Sequence, residues 1–98
     1  MEIEWTYTAK KNVRKIYKFY VKTASEEIAK KIIEPLFPFV LTLKELNLIG
    51  QEQENLKHLN SGHRYLVLGH FKIIYKVWKD KIYITHVFDT RQNPKKLK

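Results

Sequence analysis

Hydrophobic and polar positions alternate over residues 2–7. The apolar set is Ile3, Trp5 and Tyr7, and the polar set is Glu2, Glu4 and Thr6. A period of two is that of a half-buried β-strand. The chain is therefore predicted to begin with a short strand.

From Thr8 onward the apolar residues recur with a helical period. The apolar stripe consists of Ala9, Val13, Ile16, Tyr17, Tyr20 and Ala24. The basic residues between them lie largely off this stripe: Lys10, Lys11, Arg14, Lys15, Lys18 and Lys22. The pattern predicts an amphipathic helix with a cationic outer face.

A second helix is predicted to begin near Ser25. The segment from Thr23 to Glu26 indicates a break followed by a capping box, in which the Thr23 hydroxyl accepts a backbone N–H and Glu26 reaches back. The new apolar stripe consists of Ile28, Ile32, Ile33, Leu36, Val40, Leu43 and Leu46. It passes through Pro35 and Pro38, each of which removes a helical hydrogen bond. We expect a kink, or a helix that ends near Glu34 and restarts, with both prolines facing outward.

The last third of the chain predicts a β-meander. Residues 50–62 are polar and predict a loop with one helical turn around residues 55–58. Three strand-like runs follow at residues 63–68, 71–78 and 81–89, joined by turn-forming pairs at Gly69-His70 and Lys79-Asp80. The order β-α-α-β-β-β predicts one α+β domain over residues 1–98, with a helical hairpin packed on one face of an antiparallel sheet.

A two-residue turn at Lys79-Asp80 sets the expected register of the last hairpin. It pairs Val77 with Ile82, Tyr75 with Ile84, Ile73 with His86 and Phe71 with Phe88. This apolar face is expected to carry the helices. His86 is then a buried, hydrogen-bonded core histidine, unless a β-bulge reverses the face locally.

The opposite face of the hairpin is expected to be exposed. Its members are Lys72, Ile74, Lys76, Trp78, Lys81, Tyr83, Thr85 and Val87. Lysines beside Trp78 and Tyr83 suit a surface that holds phosphates and stacks on bases. The same lysines also suit a sheet face that is merely kept soluble.

Composition narrows the class of protein. The chain has 98 residues, 44% hydrophobic, and no cysteine, which predicts one domain in a reducing cytoplasm. No signal-peptide core or membrane-spanning run is present, so we expect a soluble cytoplasmic protein with no membrane partner. Nineteen basic residues against ten acidic ones give a net charge of +9, which indicates a polyanion or an acidic protein as partner.

Several kinds of chemistry are disfavoured by the residues present. No cysteine nucleophile exists, and the serines, Ser25 and Ser61, lie at a helix start and in a loop. His58, His63 and His70 lack the close spacing of a metal site. We expect neither a metal ion nor a cofactor.

The last third of the chain resembles the RelE/ParE superfamily of bacterial toxins from type II toxin–antitoxin systems. The resemblance rests on an Arg-aromatic-Leu strand, a glycine, an aromatic-basic-Ile-Ile-Tyr strand and a closing Arg-Gln-Asn-Pro. In this chain these are Arg64-Tyr65-Leu66, Gly69, Phe71-Lys72-Ile73-Ile74-Tyr75 and Arg91-Gln92-Asn93-Pro94. The resemblance implies a growth-inhibiting toxin that is neutralised by a small, acidic cognate antitoxin.

The resemblance implies two alternative targets. RelE-like members cut mRNA in the ribosomal A site, whereas ParE-like members poison DNA gyrase. A RelE-like mechanism would use Lys72 and Arg91 to hold the phosphate and His86 for proton transfer, since the family's C-terminal tyrosine has no counterpart after Arg91. We therefore rank ParE-like, non-nuclease action first, ribosome-dependent cleavage second and a non-toxic antitoxin-binding relic third.

The expected target-binding residues follow from the exposed face and the resemblance. Arg91 is expected at the open end of the sheet near Lys72, where it leaves the last strand. The full predicted set is Arg64, Lys72, Lys76, Trp78, Lys81, Tyr83, Arg91 and Lys95.

Overall fold

The computed structural model describes residues 2–46, 51–52 and 62–91. Its elements are β1 (Glu2–Trp5), α1 (Tyr7–Thr23), α2 (Glu26–Ile33), α3 (Leu36–Leu41), α4 (Leu43–Leu46), β2 (Gln51–Glu52), β3 (Arg64–Leu68), β4 (Phe71–Trp78) and β5 (Lys81–Asp89). The α+β prediction is confirmed. Within the described residues, no helix is both long and apolar enough to cross a membrane.

The strands form one sheet in the order β1-β5-β4-β3-β2. The pairs β5–β4, β4–β3 and β3–β2 are antiparallel, but β1 runs parallel to β5. The predicted antiparallel sheet is therefore confirmed except at this edge, where β1 pairs in parallel. Strand β2 also lies inside the segment predicted as a loop, while the predicted turn at residues 55–58 is outside the described residues.

Thr6 ends the first strand and starts α1. Its hydroxyl accepts a hydrogen bond from Ala9 N at 3.2 Å and donates to the Ile84 carbonyl at 2.8 Å. Thr6 is therefore both a helix N-cap and a link to β5. The strand therefore stops at Trp5, and Tyr7 belongs to the helix. The Tyr7 residue is 75% exposed.

The second helix begins where the sequence predicted, but with a different cap. Ser25 Oγ accepts from Ile28 N at 3.1 Å, and Glu26 is the first helical residue. The Thr23 hydroxyl instead donates to the Phe19 carbonyl at 2.9 Å, so it belongs to the preceding helix. The role given to Thr23 in the capping box was wrong, because Ser25 lies directly before the first turn.

The two prolines divide the second helical region as predicted. Helix α2 ends at Ile33, Pro35 is the N-cap residue of α3, and Pro38 lies within α3. Both prolines are exposed. The apolar stripe continues on the inner side, where Leu36, Val40 and Leu43 are buried.

The core lies between the helices and one face of the sheet. Tyr75, Ile73, Ile82 and Ile84 are fully buried on the sheet side. The cluster consists of Ala9, Ile16, Ile33, Leu36, Val40, Leu43, Phe71, Ile73, Tyr75, Ile82, Ile84 and Val87. The helical hairpin thus covers one face of the sheet, as its amphipathic pattern predicted.

A β-bulge changes the register of the last hairpin. The predicted pairs Val77–Ile82 and Tyr75–Ile84 are correct, but the register shifts between Ile74 and Tyr75. Thr85 is the extra residue, and beyond it the pairs are Ile74–His86, Ile73–Val87, Lys72–Phe88 and Phe71–Asp89. The predicted pairs Ile73–His86 and Phe71–Phe88 were therefore wrong, because one inserted residue reverses every later side chain.

Candidate functional site

We call the sheet face opposite the helices the outer face. The alternation of β3, β4 and β5 brings there Tyr65, Val67, Lys72, Ile74, Lys76, Trp78, Lys81, Tyr83, His86 and Phe88. The bulge moves His86 and Phe88 onto this face, while Val87 turns to the core, so the expected positions of His86 and Val87 were wrong. The outer face therefore combines cations, aromatic rings and a histidine.

A cavity of about 330 Å³ opens on the outer face. It is lined by Thr6, His63, Lys76, Trp78, Tyr83 and Thr85. The Trp78 and Tyr83 rings lie 6.4 Å apart at 53°, and Trp78 is 52% exposed. Lys79 Nζ lies 4.5 Å from the Trp78 ring centre. Such a surface can accept an aromatic or amphipathic group from a partner through stacking and cation–π contact.

Two histidines on this side of the sheet are half-buried. Burial lowers the pKa of His86, and burial followed by the charges of Lys76 and His86 lowers the pKa of His63. His86 Nδ1 lies 3.1 Å from Thr85 Oγ1, and its ring stacks on Phe88 at 5.8 Å. Both imidazoles are therefore neutral near pH 7 and can accept a proton.

Lys72 lies on the outer face, as the sequence predicted. Its Nζ is 4.2 Å from the centre of the Tyr65 ring, and partial burial lowers its pKa. Its backbone neighbours Phe71 and Ile73 both point to the core. Lys72 is thus a cation–π partner of Tyr65 on the face away from the helices.

Arg91 does not join Lys72. Its Nη2 donates to the Tyr20 hydroxyl at 2.8 Å, and its Nε lies 3.7 Å from Asp89 Oδ1. Tyr20 belongs to α1, and Asp89 is buried on the helix-bearing side of β5. The expectation that Arg91 stands beside Lys72 was wrong, because the bulge turns Asp89 inward and Asp89 draws Arg91 to the helix side.

The other predicted site residues do not all lie on the outer face. Arg64 pairs with Tyr75 in the sheet register, which puts it on the helix-bearing side rather than the outer face. Lys81 is on the outer face, where its Nζ lies 3.6 Å from Glu2. Lys95 lies outside the described residues.

Three residues that position Arg91 and strand β5 were not identified from the sequence. Tyr20 and Asp89 fix Arg91, and Asn12 Oδ1 accepts a hydrogen bond from Val87 N at 3.0 Å. A partner for Asp89 could have been predicted from the sequence. Asp89 is an acidic residue at the end of an apolar strand, and a buried carboxylate needs a hydrogen-bond or ion-pair partner. Among the described residues, no group of histidine, aspartate and glutamate side chains is arranged to hold a metal ion.

The sequence matches the family described as the ParE toxin of type II toxin–antitoxin system, parDE, over residues 3–94. The chain belongs to the ParE toxin family. As a ParE toxin it is the toxic component of a type II toxin–antitoxin system, and it has a cognate antitoxin as partner.

A solved structure has a similar fold. It belongs to a chromosomal ParDE toxin–antitoxin system from P. aeruginosa, with a TM-score of 0.76 and 23% sequence identity. The alignment covers 91% of this ParE chain and 95% of that chain. A comparison with curated proteins gives no match.

Proposed function

We propose that this ParE toxin inhibits growth by acting on DNA gyrase and that it uses its outer face to engage the target. The observation that carries the proposal is the separation of Lys72 from Arg91. Lys72 contacts Tyr65 on the outer face, whereas Arg91 is bonded to Tyr20 on the helix side. The two cations that a RelE-like enzyme would direct at one phosphate therefore do not converge.

Convergence matters because RNA cleavage without a metal makes three demands on the protein. A group must remove the 2′-hydroxyl proton, cations must hold the charge of the phosphate, and another group must protonate the leaving oxygen. A cation that is already bonded to a buried carboxylate on the other side of the sheet adds little to that charge. This supports a target that is bound rather than cleaved.

The outer face offers what a protein partner requires. Trp78 is a large, exposed aromatic residue beside a cavity of about 330 Å³, with Tyr83 and Lys76 in the cavity wall. Tryptophan, tyrosine and arginine dominate protein–protein binding energy, usually near the centre of an interface. We propose Lys72, Lys76, Trp78, Lys81 and Tyr83 as the target-binding residues. Gyrase as target also implies action in the cytoplasm.

One observation favours ribosome-dependent mRNA cleavage as a second candidate. The bulge puts His86 on the same face as Lys72 and Lys76, and burial keeps His86 neutral and able to accept a proton. His63 lies on the same side. In this alternative, His86 would be the base, and the two lysines would hold the phosphate.

The antitoxin is proposed to be acidic. The toxin carries a net charge of +9, and two neighbouring proteins of like charge would repel one another. An acidic antitoxin segment would neutralise this charge as it binds. Toxin–antitoxin association should then weaken as ionic strength rises.

The experiment that tests the target is a brief induction of the toxin in cells, followed by two measurements. Plasmid supercoiling reports on gyrase, and sequencing of mRNA 5′ ends reports on cleavage in ribosomes. We expect relaxed or broken DNA and intact mRNA, and purified toxin should inhibit supercoiling by purified gyrase. Codon-phased mRNA cuts with normal supercoiling would overturn the proposal in favour of the nuclease, and no growth defect would indicate a non-toxic relic.

A further inference from the structure

Helix α1 carries a one-sided cationic surface that neither the core nor the outer face uses. At 3.6 residues per turn, its basic side chains fall within an arc of about 140° of the helix circumference. We call this the α1 basic face, and its members are Lys10, Lys11, Arg14, Lys15, Lys18 and Lys22. All of them are exposed, and the helix contains no aspartate or glutamate.

The charges of the α1 basic face are not compensated within the part of the chain that the structure describes. None of its members forms an ion pair there. In contrast, the lysines of α2 are paired at a spacing of four residues, Lys30 with Glu26 at 3.5 Å and Lys31 with Glu27 at 3.6 Å. Like charges four residues apart, such as Lys11 and Lys15, destabilise a helix. The chain thus balances charge on one helix and concentrates it on the neighbouring one.

We propose that the α1 basic face binds the phosphate backbone of a nucleic-acid duplex without reading its sequence. The helix has 17 residues and is about 25 Å long. Over that length, B-form DNA presents on the order of 15 phosphate charges, one per about 1.7 Å of axis. A convex row of lysine and arginine side chains on flexible stems suits such a regular array of charges.

The surroundings of α1 favour a nucleic acid over other anionic partners. A membrane-surface helix must insert its apolar face, but the apolar face of α1 is already in the core, where Ala9 and Ile16 are buried. A protein partner would seek large apolar anchors. Helix α1 exposes three large apolar side chains, Tyr7 at its start and Phe19 and Val21 near its end. The middle turns of the helix, which carry most of the α1 basic face, therefore have no such anchor.

This inference goes beyond the proposed gyrase target and does not depend on it. A toxin that holds duplex phosphates would be concentrated on nucleic acid wherever its target works. The duplex-binding proposal and the gyrase proposal can be tested independently. Duplex binding is measured in the absence of gyrase, and gyrase inhibition is measured by supercoiling.

The test is fluorescence anisotropy of purified toxin with a labelled mixed-sequence DNA duplex and a matching RNA duplex, over a series of salt concentrations. The variant is Lys11→Gln with Lys15→Gln. Its control, Lys30→Gln with Lys31→Gln, removes the same charge from α2. If two phosphate contacts are lost, the slope of log K against log salt becomes shallower by about 1.8, at 0.9 per phosphate. We expect this change in the α1 variant and an unchanged slope in the α2 control.

Four outcomes would overturn the inference. The first is that the toxin binds neither duplex at low salt, and the second is that the α1 variant and its α2 control weaken duplex binding equally. The third is that the toxin binds an oligoglutamate peptide more tightly than either duplex. The fourth is that it binds anionic lipid vesicles more tightly than either duplex. Binding to DNA alone, RNA alone or both would support it, and the preferred duplex identifies the source of the phosphates. Circular dichroism of both variants verifies that α1 remains folded.

Discussion

Tyr20 of α1 and Asp89 at the end of β5 are 69 positions apart in the chain and joined by a hydrogen bond from the tyrosine hydroxyl to the carboxylate. The Asp89 side chain is only 1% exposed and also accepts a hydrogen bond from Arg91 N at 3.0 Å. The Tyr20 hydroxyl in turn accepts from Arg91 Nη2 at 2.8 Å. This cluster fastens the last strand to the first helix and fixes the direction in which Arg91 leaves the sheet.

Tyr20→Phe is expected to lower the free energy of unfolding by about 1–3 kcal/mol, because it removes a hydrogen-bond donor to a buried carboxylate. Urea denaturation measures the change. Tyr7→Phe is the matched control, since Tyr7 is 75% exposed and should tolerate the same change. Equal stability of the Tyr20 variant and the native protein would show that the cluster contributes nothing to folding.

Thr6→Ala is expected to cost about 1–2 kcal/mol of stability, because the side chain caps α1. It also removes the bond from the Thr6 hydroxyl to the Ile84 carbonyl at 2.8 Å. Thr8→Ala, an exposed change in the first turn of the same helix, should have little effect. Thermal or urea unfolding of the two variants compares a threonine that caps the helix with one that does not. A similar loss of stability in both variants would contradict the role assigned to Thr6.

The two half-buried histidines predict that stability falls in mild acid. Their folded pKa values lie below the ordinary value of 6.5, so the unfolded chain binds protons first as the pH drops. Stability is therefore fully present above the unfolded pKa and decreases as the pH falls through 6.5 toward the lower folded values. Denaturation at about pH 7.5 and about pH 5.5 measures the loss.

The double variant His63→Asn with His86→Asn should flatten this pH dependence. His70→Asn is the control, because His70 is exposed in a turn. A loss of stability in acid that is identical in the native protein and in the double variant would assign the effect to other groups.

Trp78→Ala is expected to weaken inhibition of gyrase by about 30-fold or more if Trp78 is a central contact, a loss of about 2 kcal/mol. Folding should be little changed, since Trp78 is 52% exposed. Leu41→Ala is the control, because Leu41 is 56% exposed on the helical side. Supercoiling assays with both variants test the assignment, and full activity of the Trp78 variant would remove this residue from the target interface.

His86→Asn distinguishes the two candidate mechanisms. If gyrase is the target, inhibition should persist, because His86 is not one of the residues proposed to bind it. If mRNA cleavage is the activity, loss of the proposed base on the outer face should abolish toxicity. The measurement is growth inhibition together with supercoiling, on variant protein whose folding has been verified.

The order of elements could be predicted from local pattern because each signal acts over a few residues. The interruption at Pro35 and Pro38 is of this kind, since proline removes a backbone donor wherever it stands in a helix. The turn at Lys79 and Asp80 is another: both residues have positive φ, 48° and 62°, as a two-residue hairpin turn requires. Lys72, Lys76 and Trp78 of β4 could be assigned to the outer face from strand alternation in the same way.

The positions of His86, Asp89 and Arg91 were decided by tertiary structure. Strict alternation predicts a register only up to the first irregularity, and Thr85 supplies one. The side chain of Thr85 donates to the Ile74 carbonyl at 3.2 Å, across the same hairpin. The parallel pairing of β1 with β5 has a similar origin, because it depends on how α1 crosses the sheet. Sequence alone determined the family of this toxin and its order of elements apart from the short strand β2, whereas long-range packing decided which cations share a face.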